Sequence, residues 1–118
     1  QNKPELIGST IMMIDPGIDS GRIIHQLRTK IFMRDNFHII SARLIRDTAF
    51  ALIKVIKNFK KIKSYDQWHS SIAHTFYKKD FDDRKINLFD KINHAKLLRN
   101  YVKNKKRRDS KFKLIKSV

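Results

Sequence analysis

Between Gly8 and the Asp15-Pro16-Gly17 breaker lies Ser9 to Ile14, a short and almost continuous apolar run. It is too brief for a stable helix and rich in Ile and Thr, which predicts a strand. The lack of polar alternation predicts cover on both faces, as in a parallel sheet. The breaker is turn chemistry: Pro16 fixes φ, and Gly17 is free to take φ > 0. After Gly21 a second extended segment carries Ile23, Ile24, Leu27, Ile31 and Met33 among mostly polar residues. Its alternation is imperfect, and a bulge near His25-Gln26 would accommodate that.

Asp35 then reads as the N-cap of a long helix over 36–58. Ile45, Ala49, Leu52 and Ile56 recur at helical spacing and are expected inward, with Arg43, Arg46, Lys54 and Lys57 on the other side. A basic loop over 60–64 and a short extended stretch over 73–78 follow. From Asp82 a second helix is expected to turn Leu88, Ile92, Ala95, Leu98 and Val102 inward, with Asp82 and Asp83 favouring its N-terminus. It dissolves into the run Lys103 to Arg108, and the last ten residues form a short tail. No internal repeat is visible. The expected architecture is α/β, of the form strand, loop, strand, long helix over 1–60, with a basic and mostly helical extension over 61–118 packing on it.

At 118 residues the chain is one domain's worth, or a piece of a larger domain. Its 41% hydrophobic content and eight Phe permit a core, while three Gly and two Pro disfavour a turn-rich β-sandwich. The absence of Cys removes disulfides, thiolate nucleophiles and Cys-ligated metals. The five His are scattered without ligand spacing, so no metal site is expected. No apolar run approaches the roughly 18 residues of a spanning helix, so membrane insertion is not expected. The opening Gln1-Asn2-Lys3-Pro4 has neither Met nor a signal segment, which points to a fragment or a processed chain.

The formal charge is +16. Residues 1–50 hold seven basic and five acidic side chains, which leaves 20 basic and six acidic in the remainder, so +2 becomes +14. That back half reads as the solvated exterior of a Lys-rich protein, with nucleic-acid contact as the competing reading. The run 103–108 reads as a solvated helix end on the same terms. Phe76, Tyr77 and Phe81 beside Lys78 and Lys79 read as core aromatics before they read as a stacking platform. Met12 and Met13 read as core packing, and His25 as a packed or surface histidine.

Asp19 lies just past the first strand, where α/β folds place their sites. Taken alone it would be a turn carboxylate bonded to its own backbone, and Asp15 at the strand exit reads as the residue that caps the turn. The whole stretch from Gly8 to Gln26, however, resembles the C-terminal end of the catalytic domain of folate-dependent formyltransferases. The family pattern is Gly-x-Thr, a short strand, a turn, an aliphatic residue, Asp, a small residue, Gly, then x-Ile-Ile-x-Gln. The long helix occupies the family's next position, and Tyr77 to Phe81 is similar to a segment of its sugar-modifying members.

The resemblance implies a partial Rossmann-like domain and formyl transfer from 10-formyltetrahydrofolate to a primary amine, without a metal. Asp19 matches the catalytic aspartate, and Asp15, Pro16, Gly17 and Ile18 match the loop that cradles the pterin. Thr10 matches the strand threonine and Gly21 the glycine that turns the chain away. Arg22 stands where another residue is usual and would meet an acceptor phosphate. The expected acceptor is a nucleotide-linked amino sugar. Methionyl-tRNA is second, favoured by Thr10-Ile11-Met12 and the basic tail. The family's Asn-x-His precedes this region and does not occur between Gln1 and Gly8, so the chain is expected to be the back part of an enzyme. The implied location is cytoplasmic, with self-association left open. The reading from another class is a non-enzymatic, basic nucleic-acid-binding module or an inactive remnant of the enzyme.

Overall fold

A computed structural model of the chain describes residues 3–17, 19–67 and 94–118. Within them lie β1 (Gly8–Met12), β2 (Ile23–Arg28), α1 (Phe37–Asn58), α2 (His94–Lys103) and α3 (Lys105–Asp109), with 3-10 turns at Pro4–Leu6 and Phe59–Lys61. The fold therefore mixes a two-stranded sheet with a long helix behind it. The stretch over 73–78, the start of the second helix, and Phe76, Tyr77 and Phe81 lie outside the described residues.

β1 and β2 pair antiparallel, not parallel, with Gly8 opposite Arg28 and Ile11 opposite His25. The cause is chain length: only residues 13–22 separate the strands, and a parallel partner needs a crossover of a dozen residues or more. The register slips after Ile11, so that Met12 faces Ile23 and Ile24 has no partner. This bulge lies beside the expected position. It lets consecutive Ile24 and His25 both be buried, at 4% and 6% exposure, which strict alternation forbids. The first strand ends at Met12. Met13 is exposed and Ile14 stands fully in solvent, so the expected two-sided cover and the core role of Met13 are not realised.

α1 starts one residue later than expected. Asn36 is its N-cap, and its side chain accepts from Ile39 N–H. Asp35 is buried instead, where it accepts from Phe32 N–H and receives the Arg43 guanidinium on both oxygens, at 2.7 and 3.0 Å. The helix is also rotated from expectation. Ile45, Ala49, Leu52 and Ile56 are exposed, and the inward face is Ile40, Leu44, Thr48, Ala51 and Val55, roughly 100° around the axis. Polar contacts fix that rotation: Ser9 Oγ meets Thr48 Oγ1 at 2.8 Å, and Thr29 Oγ1 donates to Asp47 Oδ2 at 2.6 Å. Apolar side chains cover more of α1 than a two-stranded sheet can bury.

Among the described residues two apolar clusters form the core. Ile11, Ile24 and Val55 pack with Ala51 and Ile62 between sheet and helix. Ile31, Ile40, Leu98 and Tyr101 make the second, joined by Ile7 and Val102. Leu98 and Val102 thus point inward as expected. Ala95 is exposed, and Tyr101, buried to 1% exposure, takes the central place. The run 103–108 does not dissolve. It continues as α3, tied by Lys105 to Asp109 one turn on and by Arg108 to the buried Glu5 at 2.8 Å. The tail then folds back on β2, where Ile115 O accepts from Gln26 N–H at 2.7 Å and Ser117 N–H donates to His25 Nδ1 at 3.1 Å. No helix among the described residues is long and apolar enough to cross a membrane.

Candidate functional site: the loop between the strands

The hairpin loop is drawn together at its base by Met13 N–H donating to Arg22 O at 2.9 Å. Inside it, Asp15 Oδ1 accepts from Gly17 N–H at 3.1 Å and from Ser20 Oγ–H at 2.6 Å. One carboxylate therefore closes the turn, as short acidic side chains do. Gly17 does not take φ > 0. Its need for glycine is space, because an added Cβ would sit 2.0 Å from Ser20 Oγ.

The left-handed position belongs to Asp19, at φ 52°. Non-glycine residues are uncommon there, and Asp is among the few that tolerate it. The Asp19 side chain is exposed and makes no hydrogen bond or ion pair among the described residues. The conformation is held from outside the loop. Gln67 Nε2 donates to both Asp19 O and Gly21 O, each at 2.7 Å. Gly21 is buried against the opposite limb, where an added Cβ would lie 1.7 Å from Met13 O.

A hollow of about 210 Å³ is lined by Met12 to Asp15, Gly17 and Asp19 to Gly21. It is smaller than the roughly 300–1,000 Å³ clefts that enclose whole ligands, so it takes one end of a molecule. The loop thus joins Asp15, Gly17 and Asp19 at one hollow. Pro16 lies on the exposed turn beside it, and Ile18 lies outside the described residues. Thr10 is on β1, where it accepts a long 3.4 Å bond from Gln26 Nε2.

Arg22 is exposed, but its guanidinium is already engaged. Its Nε pairs with Asp66 at 3.0 Å and its Nη2 donates to Ser64 O at 3.1 Å, beside the bridge between Ile23 and Tyr65. An acceptor phosphate would have to compete with Asp66. Gln67 is the residue that sequence reasoning missed, because a lone glutamine far along the chain carries no signature. His25 lies up the strand from the loop. Burial first, then the Lys116 and Lys54 cations, hold its imidazole below the ordinary 6.5, so it is poised as a neutral acceptor for Ser117 N–H. No cluster of three metal-ligating side chains occurs among the described residues.

Comparison with protein-family models, with characterised proteins and with solved structures gives no significant match in any of the three.

Proposed function

We propose that the chain is part of a folate-dependent formyltransferase, acting in the cytoplasm. It would move a formyl group from 10-formyltetrahydrofolate to a primary amine, with a nucleotide-linked amino sugar preferred as acceptor and methionyl-tRNA second. The observation that carries this reading is the division between two loop carboxylates. Asp15 is consumed in closing the turn, while Asp19 is held in a strained conformation with its carboxylate unpaired among the described residues, at the rim of a hollow. Strain of about 1–3 kcal/mol persists only where the surroundings impose it, and it gathers at functional sites.

In the reaction the neutral amine attacks the formyl carbon, a C–N bond forms and an oxyanion develops. The amine proton must reach the folate nitrogen before the old C–N bond breaks. Asp19 accepts a hydrogen bond from the amine, or from a water between them, and holds that path. The loop main chain over 15–18 meets the edge of the pterin. The Asn and His that polarise the formyl oxygen in this reading are not supplied between Gln1 and Gly8. A partial Rossmann-like domain is supported by the uncovered apolar face of α1, since a larger sheet would bury such a helix more broadly.

The test is formyl transfer by the protein as isolated from its source, with Asp19→Asn against Asp15→Asn. Asp19→Asn should lower turnover at least about 100-fold with the fold intact, and Asp15→Asn should lower stability first. Unchanged turnover in Asp19→Asn removes the residue from the mechanism.

A further inference from the structure

A second cleft, of about 740 Å³, lies at the far end of the hairpin. Arg28, on its wall, pairs with Gly8, whereas the Asp19 loop begins beyond Met12. Four residues of strand put the two sites about 13 Å apart or more. The cleft is lined by six cationic side chains against one carboxylate, a net of +5.

That carboxylate, Asp109, is already answered. Burial alone would raise its pKa, but hydrogen bonds from Lys105 and Tyr101 hold it below the ordinary carboxylate range. Arg28 donates to the main-chain carbonyls of Glu5, Asp109 and Phe112, which fix its position without neutralising it. Lys103, Lys106, Lys113 and Lys116 are exposed and make no ion pair among the described residues.

The charge is concentrated by the fold. Lys103 and Lys106 belong to α2 and α3, while Lys113 and Lys116 come from the tail. The bonds from Gln26 to Ile115 and from Ser117 to His25 and Ile24 bring the tail opposite the helices. Holding like charges together costs free energy that a polyanion would return. Half-buried Val102 and Leu114 give the cleft apolar walls, and Phe112 keeps 37% of its surface open beside them.

We propose that this cleft binds single-stranded nucleic acid, with Lys103, Lys106, Lys113 and Lys116 on successive phosphates and Phe112 under a base. Lysine supplies point charges rather than the bidentate fork that reads base edges, so binding is independent of sequence. An aromatic face beside a cationic groove is the arrangement that suits single strands. A lipid surface would call for several apolar side chains projecting past the lysines, and here Val102 and Leu114 are half-buried, which leaves Phe112 as the exposed apolar side chain of the lining. The site stands apart from the formyl-transfer reading.

The experiment is fluorescence anisotropy of a short labelled oligouridylate with the full chain, over a range of salt. Four phosphate contacts predict a slope of log K against log salt of about −2.8. Lys113→Gln with Lys116→Gln should flatten the slope by about 1.4 and weaken binding at least tenfold. Lys60→Gln with Lys61→Gln, away from the cleft, should change neither by more than a small fraction. Phe112→Ala should weaken the oligonucleotide and leave inorganic polyphosphate unaffected, and single-stranded DNA of equal length should compete equally. Absent binding at low salt, equal losses from both lysine pairs, no effect of Phe112→Ala, or preference for anionic vesicles over oligouridylate would each overturn the proposal.

Discussion

The ion pair between Glu5 and Arg108 joins the first turn of the chain to α3, and its removal gives a measurable test of that packing. The side chains are 7% and 17% exposed, and Arg108 Nη2 lies 2.8 Å from Glu5 Oε2. Removing one member of a buried pair costs about 3–5 kcal/mol, because the other charge is left unanswered. Arg108 keeps some access to water and a 3.2 Å bond to Asn100 Oδ1, so Glu5→Met should cost about 2–3 kcal/mol. With a urea dependence near ~1.5 kcal/mol per molar, the unfolding midpoint should fall by about 1.3–2 M. Glu5→Met with Arg108→Met should recover most of the loss, since an apolar pair of similar volume carries no stranded charge. A midpoint shift below about 0.3 M in Glu5→Met would refute the docking of α3 on Pro4–Leu6.

Acid should release the tail before it unfolds the rest. The folded pKa of His25 lies below 6.5, so its contribution is present above that value and is lost as pH falls through the folded pKa. Protection of the Ser117 amide from hydrogen exchange, relative to its intrinsic rate, should therefore fall as pH drops through that folded pKa, and protection indifferent to pH would count against the His25 contact. The separate losses from Asp47 and Asp109, whose pKa values are also lowered, belong to pH below 3.8. On α1, Ile45→Ser should change stability by less than about 0.5 kcal/mol and Val55→Ala should cost about 1–3 kcal/mol. Chemical denaturation reads both, and the reverse order would restore the rotation that periodicity alone predicts.

What the sequence makes legible is local. The strand–loop–strand order, the bulge, the extent of α1 and the capping role of Asp15 follow from neighbours a few residues apart. The errors come from contacts distant in sequence. Periodicity placed Ile45, Ala49, Leu52 and Ile56 inward, because α1 is apolar over much of its circumference. Which stripe meets the sheet was decided by Ser9 with Thr48 and Thr29 with Asp47, pairings that no spacing reveals. Asp35 and Asn36 compete for one cap, and Arg43, two turns away, settles it.

The basic run 103–108 illustrates the same limit. Composition reads its five cations as a solvated helix end, yet Asp109 and Glu5 hold two of them in place. In the loop the glycine logic was reversed: Asp19 takes the positive φ, and Gly17 and Gly21 are required for close approach. Gln67 secures that conformation from far along the chain.

The claim that the loop from Met13 to Gly21 is a folate site is tested most directly by binding of 5-formyltetrahydrofolate, an unreactive isomer of the donor. Titration calorimetry on the protein as isolated should give saturable binding with one site per chain, little affected by salt. Gly21→Ala, which drives a Cβ to within 1.7 Å of Met13 O, should abolish it, and Lys113→Gln should leave it unchanged. An absence of saturable binding, or equal binding in Gly21→Ala, would contradict the account.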